Sequence, residues 1–259
     1  MLVDSHCHLD RLDLEPYGGK LQGALDKAEA EGVSHFLCVC IDLEHLDDVL
    51  MPARNHRNIF ASVGVHPNEY EGHDPSTEEL VKLADNENVI AIGETGLDYF
   101  RSEGDLEWQR ERFRKHISAS KKSRKPLIIH MRDATEDTLR IMKEENAGEA
   151  GGVMHCFVED WEVAKKALDL NFYISFSGIV TFNSAKDLKE VAKKVPVDKF
   201  LVETDSPYLA PVPFRGKPNQ PAYVRHVAEH IAELRNSSLD EIGEITTDNF
   251  FTLFSHAGR

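Results

Sequence analysis

The chain has 259 residues, 41% of them hydrophobic and 29% charged, a balance that suits a globular protein rather than a disordered or fibrous one. Its formal net charge of −15 argues against a protein that coats duplex DNA with a basic face, since that needs clustered Lys and Arg, yet it leaves room for an enzyme that meets a few phosphates through metal ions. Cys7, Cys38, Cys40 and Cys156 show no Cys-x-x-Cys spacing, which excludes a zinc ribbon and a thioredoxin motif and suits a reducing compartment.

The N-terminus runs straight into a strand. No signal peptide precedes it and no apolar run approaches the ~20 residues of a membrane span, so a cytoplasmic protein is expected. Eight short, nearly continuous apolar stretches follow one another: Leu2–Ser5, His35–Ile41, Ile59–Val65, Val89–Gly93, Leu127–Ile129, Gly152–Met154, Phe172–Phe176 and Phe200–Glu203. Such stretches are expected of strands covered on both faces, and their spacing matches one strand-plus-helix unit each. Helical patterns lie between them. Gly19–Glu31 places Leu21, Ala24, Leu25 and Ala28 on one face, and Glu107–Lys122 carries Trp108, Phe113 and Ile117. Capping boxes are read at Ser76 with Glu79, Asp133 with Glu136, and Ser238 with Glu241. Asp240–Phe254 closes the chain as a last helix. No linker or composition shift divides the sequence, so residues 1–259 are expected to form a single (β/α)8 TIM barrel. A doubly wound open sheet is the competitor, but His6-Cys7-His8-Leu9-Asp10 is not the glycine-rich turn it would bring after the first strand.

The chemistry sits where strands end. On a strand, alternate side chains share a face, so His6 and His8 point the same way, about 7 Å apart. Glu94 ends strand four, His130 strand five, His155 strand six and Asp205 strand eight. In a barrel these ends meet at one mouth. Four imidazoles and two carboxylates exceed what one catalytic zinc takes and suit two divalent ions, with Glu94 between His6, His8 and Asp205 on one side and His130 with His155 on the other. Glu203 shares a face with Asp205 and is read as a hydrogen-bond partner of a ligand, with a structural ion pair as the alternative.

At these residues the chain resembles the TatD family of metal-dependent deoxyribonucleases. The resemblance rests on Asp4-Ser5-His6-Cys7-His8-Leu9-Asp10, Gly64-Val65-His66-Pro67, Gly93-Glu94-Thr95-Gly96-Leu97-Asp98, His130 with Arg132-Asp133, His155-Cys156-Phe157 and Val202-Glu203-Thr204-Asp205-Ser206-Pro207-Tyr208-Leu209. It implies an amidohydrolase-related barrel and a two-metal site on His6, His8, Glu94, His130, His155 and Asp205. It also implies hydrolysis of DNA phosphodiesters, often from the 3′ end. Relatives with a bridging carboxylated lysine carry Lys where this chain has Glu94.

Paired cations lower the pKa of water and offset charge on a phosphate, and Asp205 is placed to accept the proton, unless it serves only as a ligand. Zinc, manganese and magnesium all remain compatible with the donor set. His66 and Arg132 are read as phosphate contacts, with a salt bridge from Arg132 to Asp133 as the alternative. The proline-rich loop Ser206–Gln220 offers Arg215 and Lys217 as further positive charges. Tyr99, Phe100, Tyr208 and Phe214 either stack bases or pack loops. His226-Val227-Ala228-Glu229-His230 matches an inverted zinc-protease pattern but lies on a helix away from the strand ends, and is set aside. Cys7 and Cys156 are expected to turn toward the helices as small buried residues. A hydrolase of the same fold acting on a carboxyl ester or amide, such as an aminoacyl-tRNA or a cyclic amide, is the rival reading.

Overall fold

The structure, a computed structural model, describes residues 1–258. Eight parallel strands form one sheet in chain order. They are β1 (Leu2–Cys7), β2 (Val33–Cys38), β3 (Ile59–Val63), β4 (Val89–Asp98), β5 (Leu127–Arg132), β6 (Gly152–Met154), β7 (Phe172–Phe176) and β8 (Phe200–Val202). Nine α-helices are described: α1 (Leu21–Ala30), α2 (Leu46–Asn55), α3 (Thr77–Ala84), α4 (Glu107–Ser123), α5 (Thr135–Glu144), α6 (Trp161–Asp169), α7 (Lys186–Lys194), α8 (Val224–Arg235) and α9 (Leu239–Leu253). Strand and helix alternate as a parallel sheet requires, and the ring is the expected TIM barrel.

The ring closes just past β8. Ser5 Oγ donates to the Val202 carbonyl at 2.9 Å, Asp205 N to the His6 carbonyl at 2.9 Å, and His8 N to the Ser206 carbonyl at 2.8 Å. The buried Asp4 carboxyl accepts from Thr204 N at 2.8 Å and from Thr204 Oγ1 at 2.6 Å. The seam is therefore stitched by the residues that flank His6 and Asp205.

Two apolar layers hold the barrel. One lies between strands and helices; the other groups Val3, Leu37, Ile90, Ile128, Val153 and Leu201 with Phe250 of α9 and with Phe254 just past its end. Thus α9 covers the barrel end opposite the strand C-termini, with the Phe250 and Phe254 rings fully buried. No helix among the described residues is long and apolar enough to cross a membrane.

Several boundaries differ from the sequence reading. The fourth and fifth strands run on to Asp98 and Arg132, beyond Gly93 and Ile129. Their pairing there needs Gly96, whose φ is +135°; a Cβ at this position would stand 2.0 Å from the His130 carbonyl oxygen. Because β5 continues through Arg132, Asp133 is spent on a left-handed turn (φ +53°), and the capping box read there is not formed: α5 starts at Thr135 with no side-chain cap. Ser76 and Ser238 do cap, accepting from Glu79 N and Glu241 N, and Asp160 caps α6 by accepting from Val163 N. The helix Leu46–Asn55 was not read from the sequence; Pro52 lies inside it.

Candidate metal centre

All six expected donors converge at the C-terminal mouth. Glu94, only 3% exposed, lies at their centre. Its Oε1 faces His155 Nε2 at 2.9 Å, His130 Nδ1 at 3.1 Å and His66 Nε2 at 3.4 Å, while its Oε2 faces His6 Nε2 at 3.4 Å. Asp205 Oδ1 lies 3.4 Å from His8 Nε2 and 3.7 Å from His6 Nε2. The ring centroids of His6 and His8 are 5.1 Å apart, and His6 stacks on His155 at 3.9 Å. Three groups of donors are close enough to hold an ion: His6, His8 and Asp205; His66, Glu94 and His130; and His6, His155 and Glu203.

The imidazoles are oriented by partners behind them. His8 Nδ1 lies 3.0 Å from the Val39 carbonyl, so it carries the proton and leaves Nε2 with a lone pair toward Asp205. His155 Nδ1 meets Glu203 Oε1 at 3.2 Å, and His130 Nε2 meets Asp98 Oδ2 at 3.1 Å. Each ring thus turns its other nitrogen to the centre. His66 is arranged the opposite way. Its Nδ1 accepts from Asn68 N at 3.1 Å, so a neutral ring has its proton on Nε2. That suits His66 as a donor to an anionic oxygen better than as an ion ligand.

His6 decides whether the site fits a cation. It is 1% exposed, and neither of its ring nitrogens has a hydrogen-bond partner; Glu203 Oε2 is likewise buried and unpaired. Leaving such atoms unpaired is costly, and a divalent ion between His6, Glu94 and Asp205 would give His6 Nε2 its partner. Charge points the same way. Burial pushes the His6 and His66 pKa values down, whereas Asp205, Asp98, Glu94 and Glu203 push those of His8, His130 and His155 up against burial. Burial opposes ionisation of Glu94, but His155, His66 and His130 around it hold its carboxyl well below the usual range. Asp205 is also held low against burial, through His8, His6 and His155.

Other expectations fare variously. Glu203 has no Lys or Arg partner among the described residues; it accepts from Cys156 N at 2.6 Å and faces His155 Nδ1 at 3.2 Å, an arrangement that serves either as a hydrogen bond to a ligand or, with His155 protonated, as an ion pair. Arg132 forms no salt bridge to Asp133; its guanidinium rests 3.9 Å from the centroid of the Phe100 ring. Arg215 is exposed and rests on Phe182 at 4.1 Å. Cys7 is fully buried between strands and helices, but Cys156 is a correction. It lies past β6 in a left-handed turn (φ +44°), where strand alternation no longer applies, and is partly exposed, with Sγ 3.2 Å from Ser177 Oγ. Glu229 of the helical His-x-x-Glu-His pattern is taken up by Arg225 at 2.8 Å and His226 at 3.1 Å.

Sequence reasoning assigned no role to Asp98, Asn68 or His116. Asn68 Nδ2 donates to Asp98 Oδ2 at 2.9 Å, and His116 Nε2 accepts from Val65 N at 3.0 Å, steadying the residue next to His66. A signal for Asp98 existed: it stands four residues after Glu94 on one strand, and alternation gives both one face. For Asn68 and His116 the partners are fixed only by the fold.

Comparisons with known proteins agree with this geometry. The family described as TatD related DNase matches residues 3–255. The chain is 50% identical to the Escherichia coli protein YcfH, an uncharacterized metal-dependent hydrolase, over 98% of this chain and 95% of that one. It is 44% identical to Bacillus subtilis YabD, described in the same words, over 98% of this chain and 99% of that one. The crystal structure of the TatD homologue YjjV from E. coli superposes with a TM-score of 0.90 at 30% identity, covering 98% of each chain. The match thus runs through every strand that brings a donor to the mouth, and the chain belongs to the TatD family of metal-dependent hydrolases.

Proposed function

We propose that the protein hydrolyses DNA phosphodiesters, acting as a 3′-to-5′ exonuclease on single-stranded or free ends with two divalent ions. The observation that carries this reading is the position of Glu94, whose two oxygens face different imidazole groups, so that one carboxylate serves both halves of the site. His6, His8 and Asp205 would hold one ion and His130 with His155 the other, Glu94 being shared. When bound, magnesium, manganese or zinc ions supply positive charge that activates water near neutral pH and offsets charge on the phosphate.

The chain's own groups do the rest. Asp205, kept ionised by its histidine neighbours, accepts the proton from the attacking water. His66 Nε2–H and the Arg132 guanidinium donate to non-bridging phosphate oxygens and orient the scissile group. Arg215 contacts the strand further out. Glu203 holds His155 in place from behind. The four thiols are free, in keeping with a cytoplasmic setting, and residues 1–259 act as one barrel domain.

Reconstituting metal-depleted protein with each ion in turn, on end-labelled single-stranded DNA, tests this. Release of nucleotides should return with at least one ion, be abolished by chelator, and fall sharply in His130→Ala. Cleavage of carboxyl esters or amides with no nucleotide release would replace it with the rival hydrolase.

A further inference from the structure

Exposed apolar surface is concentrated at the mouth. Tyr70, Phe100, Val158, Tyr208, Leu209 and Val212 are each 36% exposed or more, and all lie on segments that follow strands β3, β4, β6 and β8. Only Met1, Met51 and Val197 show comparable exposure elsewhere among the described residues. Water-exposed rings around a polar, donor-rich cleft have no packing role to account for them.

Four aromatics of the segments that follow β4 and β8, namely Tyr99, Phe100, Tyr208 and Phe214, divide into two pairs. The Tyr99 hydroxyl donates to Asp137 at 2.6 Å and accepts from Arg110, and Phe214 stacks on Tyr223 at 4.2 Å, so both are used internally. Phe100 and Tyr208 are 60% and 50% exposed. Phe100 carries the Arg132 guanidinium over its ring. Tyr208 sets its ring 6.0 Å from that of His8, next to the proposed ions. Arg132 reaches no carboxylate among the described residues, a condition it shares with Arg215 of the loop after β8, whereas Arg11, Arg110, Arg112, Arg114 and Arg140 each reach one.

We propose that Phe100 and Tyr208 are stacking platforms for unpaired nucleobases of the strand being cut, with Arg132 as the phosphate contact held by the first platform. The proposal rests on the nuclease reading above and deepens it to the residues that hold the bases next to the cut. Three features select a nucleobase strand as the occupant. An unstacked base offers a flat π-face that an exposed ring can take, whereas in a duplex those faces are covered. A guanidinium lying flat on a ring keeps its edge donors for a phosphate oxygen. Tyr208 stands beside His8, so a base on it belongs to the nucleotide at the site of cleavage. An apolar peptide would leave the uncompensated guanidinium without a counter-charge.

The test uses the ion-loaded full chain and two oligonucleotides, one intact and one abasic at its last nucleotides. The parent should show a KM about tenfold lower for the intact strand; Tyr208→Ala should erase most of that difference through KM, and Phe100→Ala, which also frees Arg132, through KM together with a fall in kcat. Tyr208→Trp should restore it. A 2-aminopurine at the terminal position should change its emission on binding to the parent and less so with Tyr208→Ala. Variants that keep the parent's discrimination, or a parent that cuts blunt duplex as well as single strands, would overturn the platform and leave the nuclease reading standing. A parent that neither binds nor cuts DNA would remove both.

Discussion

Nε2 of His130 lies 3.1 Å from Asp98 Oδ2, which leaves Nδ1 turned toward Glu94. The Asp98 carboxyl is held well below its usual range: burial opposes this, but the bonds from His130, Asn68 and Arg101 N outweigh it. A carboxylate fixed in this way sets the tautomer and the plane of the imidazole. Asp98→Asn keeps the shape but replaces the anion. It should weaken ion binding by about 10- to 100-fold with little loss of folded protein, as calorimetric titration of metal-depleted protein would show. Unchanged affinity would mean that Asp98 serves only the loop. The expected donors stood out in the sequence because each follows the apolar run of its strand, and topology gathers such positions at one mouth even though Glu94 and His130 lie within strands longer than the sequence suggests. Asp98 was quoted within a motif yet given no task, since its partner comes from the next strand, 32 residues on.

At the scale of elements, α4 supports the segment after β3. His116, fully buried on this helix, accepts from Val65 N at 3.0 Å and donates from Nδ1 to the Arg112 carbonyl at 2.8 Å. Burial pushes its pKa down from 6.5 to about 4, so the folded protein keeps the ring neutral where the unfolded chain would protonate it. The folded value lies below the unfolded one. The contribution is therefore complete above pH 6.5 and disappears as the pH falls toward 4, a loss on the order of 3 kcal/mol. Urea unfolding of the parent between pH 7 and pH 4.5 should show this slope, and His116→Gln should show a shallower one. Equal slopes would assign the acid lability to other groups. The sequence could not reveal this contact, because a histidine on an amphipathic helix looks the same whether it faces solvent or a buried amide. Helices with clear stripes, such as α1 and α4, are located to within two residues, whereas α2 is not legible in the sequence. The Asp133 cap failed for a related reason: the length of β5 is set by its pairing with β4, and that pairing is invisible in a single stretch.

For the whole molecule, α9 and the Phe254 that follows it close one end of the barrel with buried rings, opposite the donor-bearing end. The seam between β1 and β8 has a further consequence. It is joined by few bonds, and one of them runs from Asp205 N to the carbonyl of His6, the two residues whose side chains would share an ion. Such an ion would act as a clasp: parting the first strand from the last would pull its ligands apart, and fastening it would lock the ring. Loading should therefore raise the melting temperature in proportion to the logarithm of ion concentration. Differential scanning calorimetry with and without chelator would measure this, and a melting point indifferent to ions would show that the barrel latches without one.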